Sequence, residues 1–326
     1  MPPVEHPPGA LRRLWRDLYW FRQDRAIRRE YRGVQHLVYF GGHGLGDELL
    51  LTTVLHELRR RGGRGLGVMT SVPEIFEHSP DVDVVKPVRH DHRAFLDRAG
   101  IRAEQLTYIR EQRPPDIDVP PPRHVLAEMC RLAGITGDIA LRPYFHLTDE
   151  EKAAARRDRP FIAMQSSRRS ASLQIANKEW LPERLQEVAD GLRERFELVQ
   201  IGQAPDPPIV GAVDLRGRTS IRETAAVLHH ARAFVGLVGF PMHLARSVDC
   251  PAVIIYGGRE HPGQSGYSGN ENLFTPLPCS PCWRWNSCDF DRQCMTAIRA
   301  DDVLAAAGRL MARPRGGAPV EPVILE

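Results

Sequence analysis

The chain of 326 residues has no apolar run near the ~18 residues that a membrane-crossing helix requires. It also has no N-terminal apolar segment followed by a small-residue cleavage site, which predicts no secretory signal. The default expectation is a cytoplasmic protein with reduced thiols. Net charge is scarce as well. The 44 Lys and Arg against 41 Asp and Glu leave +3, too little to argue for a nucleic-acid partner. No GK[ST] follows any glycine loop, which excludes a P-loop. The glycines after the first predicted strand do not form a G-x-G-x-x-G with an acidic ribose-binder, so a dinucleotide site is not supported. No internal repeat occurs beyond an alternation of strands and helices. What remains is a globular composition, 42% hydrophobic and 26% charged, on a chain long enough for two domains.

The most informative stretch is Phe234 to Gly258. Phe234 to Val238 is a short apolar strand, Gly239 breaks it, and Met242-His243-Leu244-Ala245-Arg246 opens a helix. Pro251 closes that helix, and Ala252 to Tyr256 is a second buried strand running into Gly257 and Gly258. Strand, helix and strand in about 25 residues is the pattern of a parallel sheet with crossover helices. A helix that opens directly after a strand turns its unpaired N–H groups toward the carboxyl edge of the sheet, where phosphates bind.

The same alternation runs along the chain. Residues 1–9 are proline-rich and predicted disordered. Leu11 to Tyr31 reads as a helix with an aromatic face among many arginines, either packed on its own domain or lying at a membrane interface. Gln35 to Phe40 is a strand that enters Gly41-Gly42-His43-Gly44-Leu45-Gly46-Asp47-Glu48, and a helix is expected over Leu49 to Arg61. Glycines let backbone approach a ligand closely. Asp47, at the helix entrance, reads either as a cap or first-turn aspartate or as a carboxylate facing a cleft. Strands are expected over 65–71 and 82–88. His90, Asp91 and His92 follow, adjacent residues too few to define a metal site. Residues 93–122 are unpatterned, and a helix follows at His124 to Ala133. A boundary falls near 147–159, and a second α/β unit begins at Phe161. Its signals include a polar loop over Ser166 to Ala176, Lys178-Glu179-Trp180, and a capping box at Ser220-x-x-Glu223. The predicted organisation is an extension (1–33), two α/β domains (34–150 and 151–313) with a cleft between them, and a loose tail (314–326). Four cysteines, Cys279, Cys282, Cys288 and Cys294, fall within sixteen residues. They could hold a structural zinc or iron, remain free thiols or form disulfides; compartment favours metal over disulfide.

The segments GLGDELLLTTVLHELRRRG, KEW, GRTSIRETAAVL, MHLA, YGG…GYSGN and CSPCWRWNSCDFDRQCM occur in this order. Together they resemble glycosyltransferase family 9, the bacterial lipopolysaccharide heptosyltransferases. That resemblance implies a GT-B fold: two Rossmann-like domains facing a central cleft, acceptor on the first and nucleotide-sugar donor on the second. It implies an inverting transfer that needs no metal, with Asp47 as general base and Lys178 compensating the departing diphosphate. Around the donor it places Gly44, Gly46, Ser166, Ser167, Ser220, Gly239, Phe240, Met242, His243 and Gly257. ADP-heptose is the favoured donor. The acceptor is a glycolipid, saccharide, natural product or protein, and contact with the inner membrane would be peripheral. One departure stands out. Where the family usually carries Asp-Thr-Gly before xxHLA, this chain has Val238, Gly239 and Phe240. This departure suggests the alternative of a non-catalytic nucleotide-sugar-binding protein on the same fold, and the four cysteines suggest that of a metal-binding one.

Overall fold

The computed structural model describes residues 18, 21–22, 25–41, 44–88, 96–97, 100–108, 112–113, 116–167, 174–313 and 322–326. The proline-rich start, most of the basic helix, Gly42, His43 and the His90-Asp91-His92 trio lie outside them.

The first half builds a four-stranded parallel sheet. β1 (His36–Tyr39) leads into helix α1 (Leu45–Arg60), followed by β2 (Leu66–Thr70), β3 (Val84–Pro87) and β4 (Arg102–Gln105), in the order β3-β2-β1-β4. A small antiparallel pair, β5 (Gln112–Arg113) and β6 (Ile117–Asp118), precedes α2 (Val125–Leu132), β7 (Gly137–Ala140) and α3 (Asp149–Ala154). The second half runs β8 (Phe161–Met164), α4 (Pro182–Leu192), β9 (Glu197–Gln200), β10 (Val213–Asp214), α5 (Ile221–His230) and β11 (Ala233–Leu237). It continues through α6 (Phe240–Ser247), β12 (Ala252–Gly257), β13 (Glu271–Phe274) and α7 (Ala300–Ala312). Its six strands lie parallel in the order β10-β9-β8-β11-β12-β13. Central strands β8, β11 and β12 are buried along their whole length, as a sheet covered on both faces requires.

Three boundaries differ from the sequence reading. Helix α1 starts at Leu45, with Gly44 as its cap, so Asp47 belongs to the first helical turn. Helix α6 stops at Ser247, four residues short of Pro251, because Asp249 takes a left-handed conformation at φ 58°. The tail does not end loosely: Pro322–Leu325 forms β14, antiparallel to β7, and buries Leu325. That strand satisfies an edge otherwise left open.

The two halves are joined through their interiors. Leu49, Leu50 and Val54 of α1 share one continuous apolar core with Met242, Leu244 and Ala245 of α6. Residues 116–118 are stitched to 283–285: Asp118 N–H donates to Trp283 O (3.0 Å), and Trp285 N–H to Asp116 O (2.9 Å). Near the N-terminus, Ile27 and Tyr31 are buried against Leu37, Tyr39, Met69, Leu96 and Ile101, while Leu18 and Phe21 are exposed. The packed end of the predicted basic helix therefore belongs to the first domain. Among the described residues no helix is long and apolar enough to cross a membrane.

Candidate active site

The amino ends of α1 and α6 meet between the domains. Gly46 makes this approach possible. A Cβ there would stand 3.2 Å from His243 Cδ2 and 3.7 Å from the Phe240 Cα. Two residues earlier, at the cap, the Asp47 carboxylate folds back over the space that a side chain on Gly44 would fill.

Asp47 is surrounded by protein while retaining some solvent access. Tyr108 Oη donates to Asp47 Oδ1 at 2.5 Å. Burial pushes the Asp47 carboxyl up to about 6, against the Tyr108 hydrogen bond and the charge of Lys178, which lower it; Glu260 and Asp118 raise it further. Tyr108 itself is held protonated, since burial and the neighbouring carboxylate push its phenol well above the ordinary range. The outcome is a carboxyl group that titrates near neutral pH, with a hydroxyl donor fixing its orientation.

From the six-stranded sheet of the second half comes a chain of buried charges. Lys178 ends the 3-10 turn Ala176–Lys178 and pairs with Glu260, three residues beyond β12. Glu260 also accepts from Arg259 Nη1 at 2.5 Å and from Ser265 Oγ at 3.0 Å. Burial alone would raise the Glu260 carboxyl, but Lys178 and Arg259 outweigh it and hold it down at about 2. Arg259 reaches across the domain boundary to Asp118, donates to Arg284 O (3.0 Å) and lies 5.1 Å from the Trp283 ring centre.

His243 stands on α6 between these groups. Its Nδ1 lies 2.6 Å from Tyr267 Oη, and burial pushes the ring down to about 3, so it is neutral. His124, the cap of α2, is likewise pushed down by burial, to about 4.

The remaining sequence candidates divide. Gly239 caps α6, and its carbonyl accepts from Met242 and His243 N–H; Phe240 occupies the first helical position and packs partly on the core. Met242 is fully buried, and its sulfur accepts from Tyr256 Oη. Gly257 has φ 64° and lies against Met295, so the turn there needs glycine on both counts. The three serines are already engaged. Ser166 Oγ donates to Pro207 O (2.5 Å), Ser167 Oγ donates to Glu179 Oε2 (2.7 Å), and Ser220 caps α5 through Glu223 N–H. The four cysteines are free and half-buried. Among the described residues no group of three or more ligating side chains is gathered tightly enough to hold a metal. The thiols are nonetheless neighbours: burial raises Cys294, and the charges of the other cysteines add to it, while in Cys282 burial and, more weakly, its neighbouring cysteines outweigh the lowering by the Arg284 N–H and the Arg259 charge.

Sequence reading missed Tyr108, Asp118, Arg259 and Glu260. Tyr108 and Asp118 fall in the unpatterned 93–122 region. Arg259-Glu260, opposite charges directly after a buried strand, was the one available signal.

Comparison with known proteins bears on this geometry. The family model described as glycosyltransferase family 9 (heptosyltransferase) matches residues 102–289. This chain belongs to glycosyltransferase family 9. Among curated relatives, lipopolysaccharide heptosyltransferase 3 of Escherichia coli K12 is 24% identical over 147 residues. That match spans 41% of this chain and 43% of the relative, less than half of either. Among solved structures, the E. coli ADP-heptose lipopolysaccharide heptosyltransferase II aligns with a TM-score of 0.63 at 16% identity, over 85% of this chain and 98% of that one. The iron-containing dodecameric glycosyltransferase TibC of enterotoxigenic E. coli aligns with a TM-score of 0.66 at 17% identity, over 85% and 76%. At these identities the likeness is one of fold, and the fold is GT-B, as the family resemblance implies.

Proposed function

We propose that this family 9 protein transfers a sugar, heptose or a close relative, with inversion from a nucleotide-sugar to an acceptor hydroxyl. Asp47 takes the hydroxyl proton as the acceptor oxygen attacks the anomeric carbon. Lys178 and the α6 amino end stabilise the nucleoside diphosphate that leaves. The observation that carries this reading is Asp47: a carboxylate at a helix entrance, oriented by Tyr108 and raised to about 6. A general base works best with a pKa near the operating pH. Positive charge at the leaving group is what a transfer without a metal needs.

ADP-heptose is the favoured donor, supported by the TibC structure solved with ADP-D-β-D-heptose. The acceptor lies within the glycolipid, saccharide, natural-product and protein classes. The location proposed is cytoplasmic; peripheral membrane contact there is supported by exposed Leu18 and Phe21 beside Arg22, Arg25 and Arg29, which together line one hollow. The four cysteines remain a proposed structural zinc or iron site. Their mutual reach supports it, and closing it requires the thiols to draw inward from the positions observed.

A thermal-shift screen tests the donor assignment. ADP or ADP-heptose at a hundred times its dissociation constant adds about 2.7 kcal/mol of apparent stability, while UDP and GDP leave melting unchanged. A shift with UDP or GDP alone transfers the assignment to that base. Binding without any transfer, across donors and acceptors, favours the non-catalytic reading suggested by Val238 and Phe240.

A further inference from the structure

The lysine assigned to the leaving diphosphate is already neutralised. Lys178 and Glu260 form a pair whose side chains are 13% and 7% exposed. A diphosphate entering this site meets Asp47, Asp118 and Glu260 against Lys178 and Arg259 among the described residues of the cluster. Unless Lys178 exchanges partners, the incoming anion is repelled rather than held. Such an exchange is costly if it leaves a buried carboxylate alone. Glu260 is not left alone. Arg259 Nη1 lies 2.5 Å from its Oε1, and Ser265 Oγ donates at 3.0 Å to its Oε2. Arg259 is in turn fixed on the other side by Asp118 of the first domain, by the Arg284 carbonyl and by the Trp283 ring.

We propose that Glu260 is a positioning residue that occupies Lys178 in place of the donor diphosphate and gives it up when a nucleoside diphosphate enters. Arg259 keeps Glu260 compensated during the exchange, and the Asp118–Arg259 contact keeps the two domains together. No covalent step is involved; one ion pair is traded for another. The proposal rests on the diphosphate-leaving reading above but not on any transfer taking place.

The sign of one substitution decides between this role and simple scaffolding. If Glu260 competes with the diphosphate, Glu260→Gln tightens ADP binding by roughly tenfold, because a competing charge is removed. Glu260→Asp, which keeps the charge, stays near the wild-type affinity. In steady state E260Q lowers KM for the donor and lowers kcat, as the product diphosphate leaves more slowly. If Glu260 only props Lys178 in place, E260Q weakens ADP binding and raises KM, and the proposal is overturned. Calorimetric titration of ADP, GDP and UDP into the three proteins gives the answer. The predicted ordering with GDP or UDP instead of ADP upholds the exchange and moves only the base. The ordering without transfer to any acceptor upholds the exchange and removes the transferase reading. Binding of no nucleoside diphosphate to either wild type or E260Q overturns the exchange. If E260Q does not fold, the wild type carries the test through the 13C resonance of the Glu260 carboxylate. That resonance moves on nucleoside diphosphate addition if Lys178 leaves, and an unmoved resonance at saturation overturns the exchange.

Discussion

At the residue scale, adjacent positions of α1 carry carboxyls with different surroundings. Asp47 has a hydroxyl donor at 2.5 Å and a cation within electrostatic reach. Glu48 is 1% exposed, and neither the Thr70 hydroxyl nor the Ser71 N–H beside it closes a well-formed hydrogen bond. Burial pushes its carboxyl up to about 7, with the Asp47 charge adding to the rise. The linkage follows directly. Below the unfolded pKa near 4.5 Glu48 is protonated in both states, so its burial as an acid carries no ionisation penalty. As pH rises from there through about 7 the unfolded chain gains stability by ionising first, and folding stability falls. Glu48→Gln therefore raises stability at pH 8 by about 2–3 kcal/mol and changes it little at pH 4. Urea denaturation at the two pH values checks this, and equal effects at both would disprove the assignment.

At the element scale, the helix α1 and α6 amino ends and the segment 279–294 frame the site. Gly46→Val presses on the His243 ring and the Phe240 backbone. It should cost about 1–3 kcal/mol and reduce activity as the helices separate. Gly308→Ala in α7, where an added Cβ meets nothing within 4 Å, serves as the control and should stabilise by roughly 0.5–1 kcal/mol. Melting temperatures and donor turnover of the two variants distinguish local obstruction from general damage. For the cysteine segment, metal analysis of protein purified without chelator is expected to find about one zinc or iron per chain. Single Cys→Ser changes should release it and lower the melting temperature of the second domain. A metal-free protein with an unchanged melt in those variants would leave the four thiols as ordinary free cysteines.

The elements also show what sequence can and cannot reveal. Strands β8, β11 and β12 are continuous apolar runs, and α7 has a clear apolar stripe, so both were legible; α7 lies at Ala300–Ala312 as expected. Strand β4, Arg-Ala-Glu-Gln, buries only Ala103, and β13 is half-buried throughout, so neither edge strand carries a usable period. Asp47 and Lys178 were singled out because the segments around them resemble those of family 9, and the structure brings the two within electrostatic reach of each other. Tyr108, Asp118 and Glu260 were not. Each acquires its role from a partner at least 61 residues away or on another sheet edge, and no local spacing records such a meeting.

At the scale of the whole molecule, two parallel-sheet domains share an apolar core through α1 and α6 and are stitched at 116–118 with 283–285. This arrangement delivers the Asp47 carboxyl from the first domain and the Lys178 cation from the second to one place. The most direct test is the pH dependence of nucleoside diphosphate release during transfer, with the donor that binds and an acceptor drawn from the proposed classes, for wild type, Asp47→Asn and Tyr108→Phe. The account predicts a wild-type rate that climbs as pH rises through about 6, since the ionised carboxylate is the active form. It predicts a loss of about a hundred- to ten-thousand-fold in D47N with donor binding retained. In Y108F, loss of the hydrogen bond that favours the carboxylate moves the acid limb to higher pH, so the deficit is larger at pH 6 than at pH 8. Full turnover in folded D47N, or an acid limb that Y108F leaves in place, would contradict the assignment of Asp47 as the base.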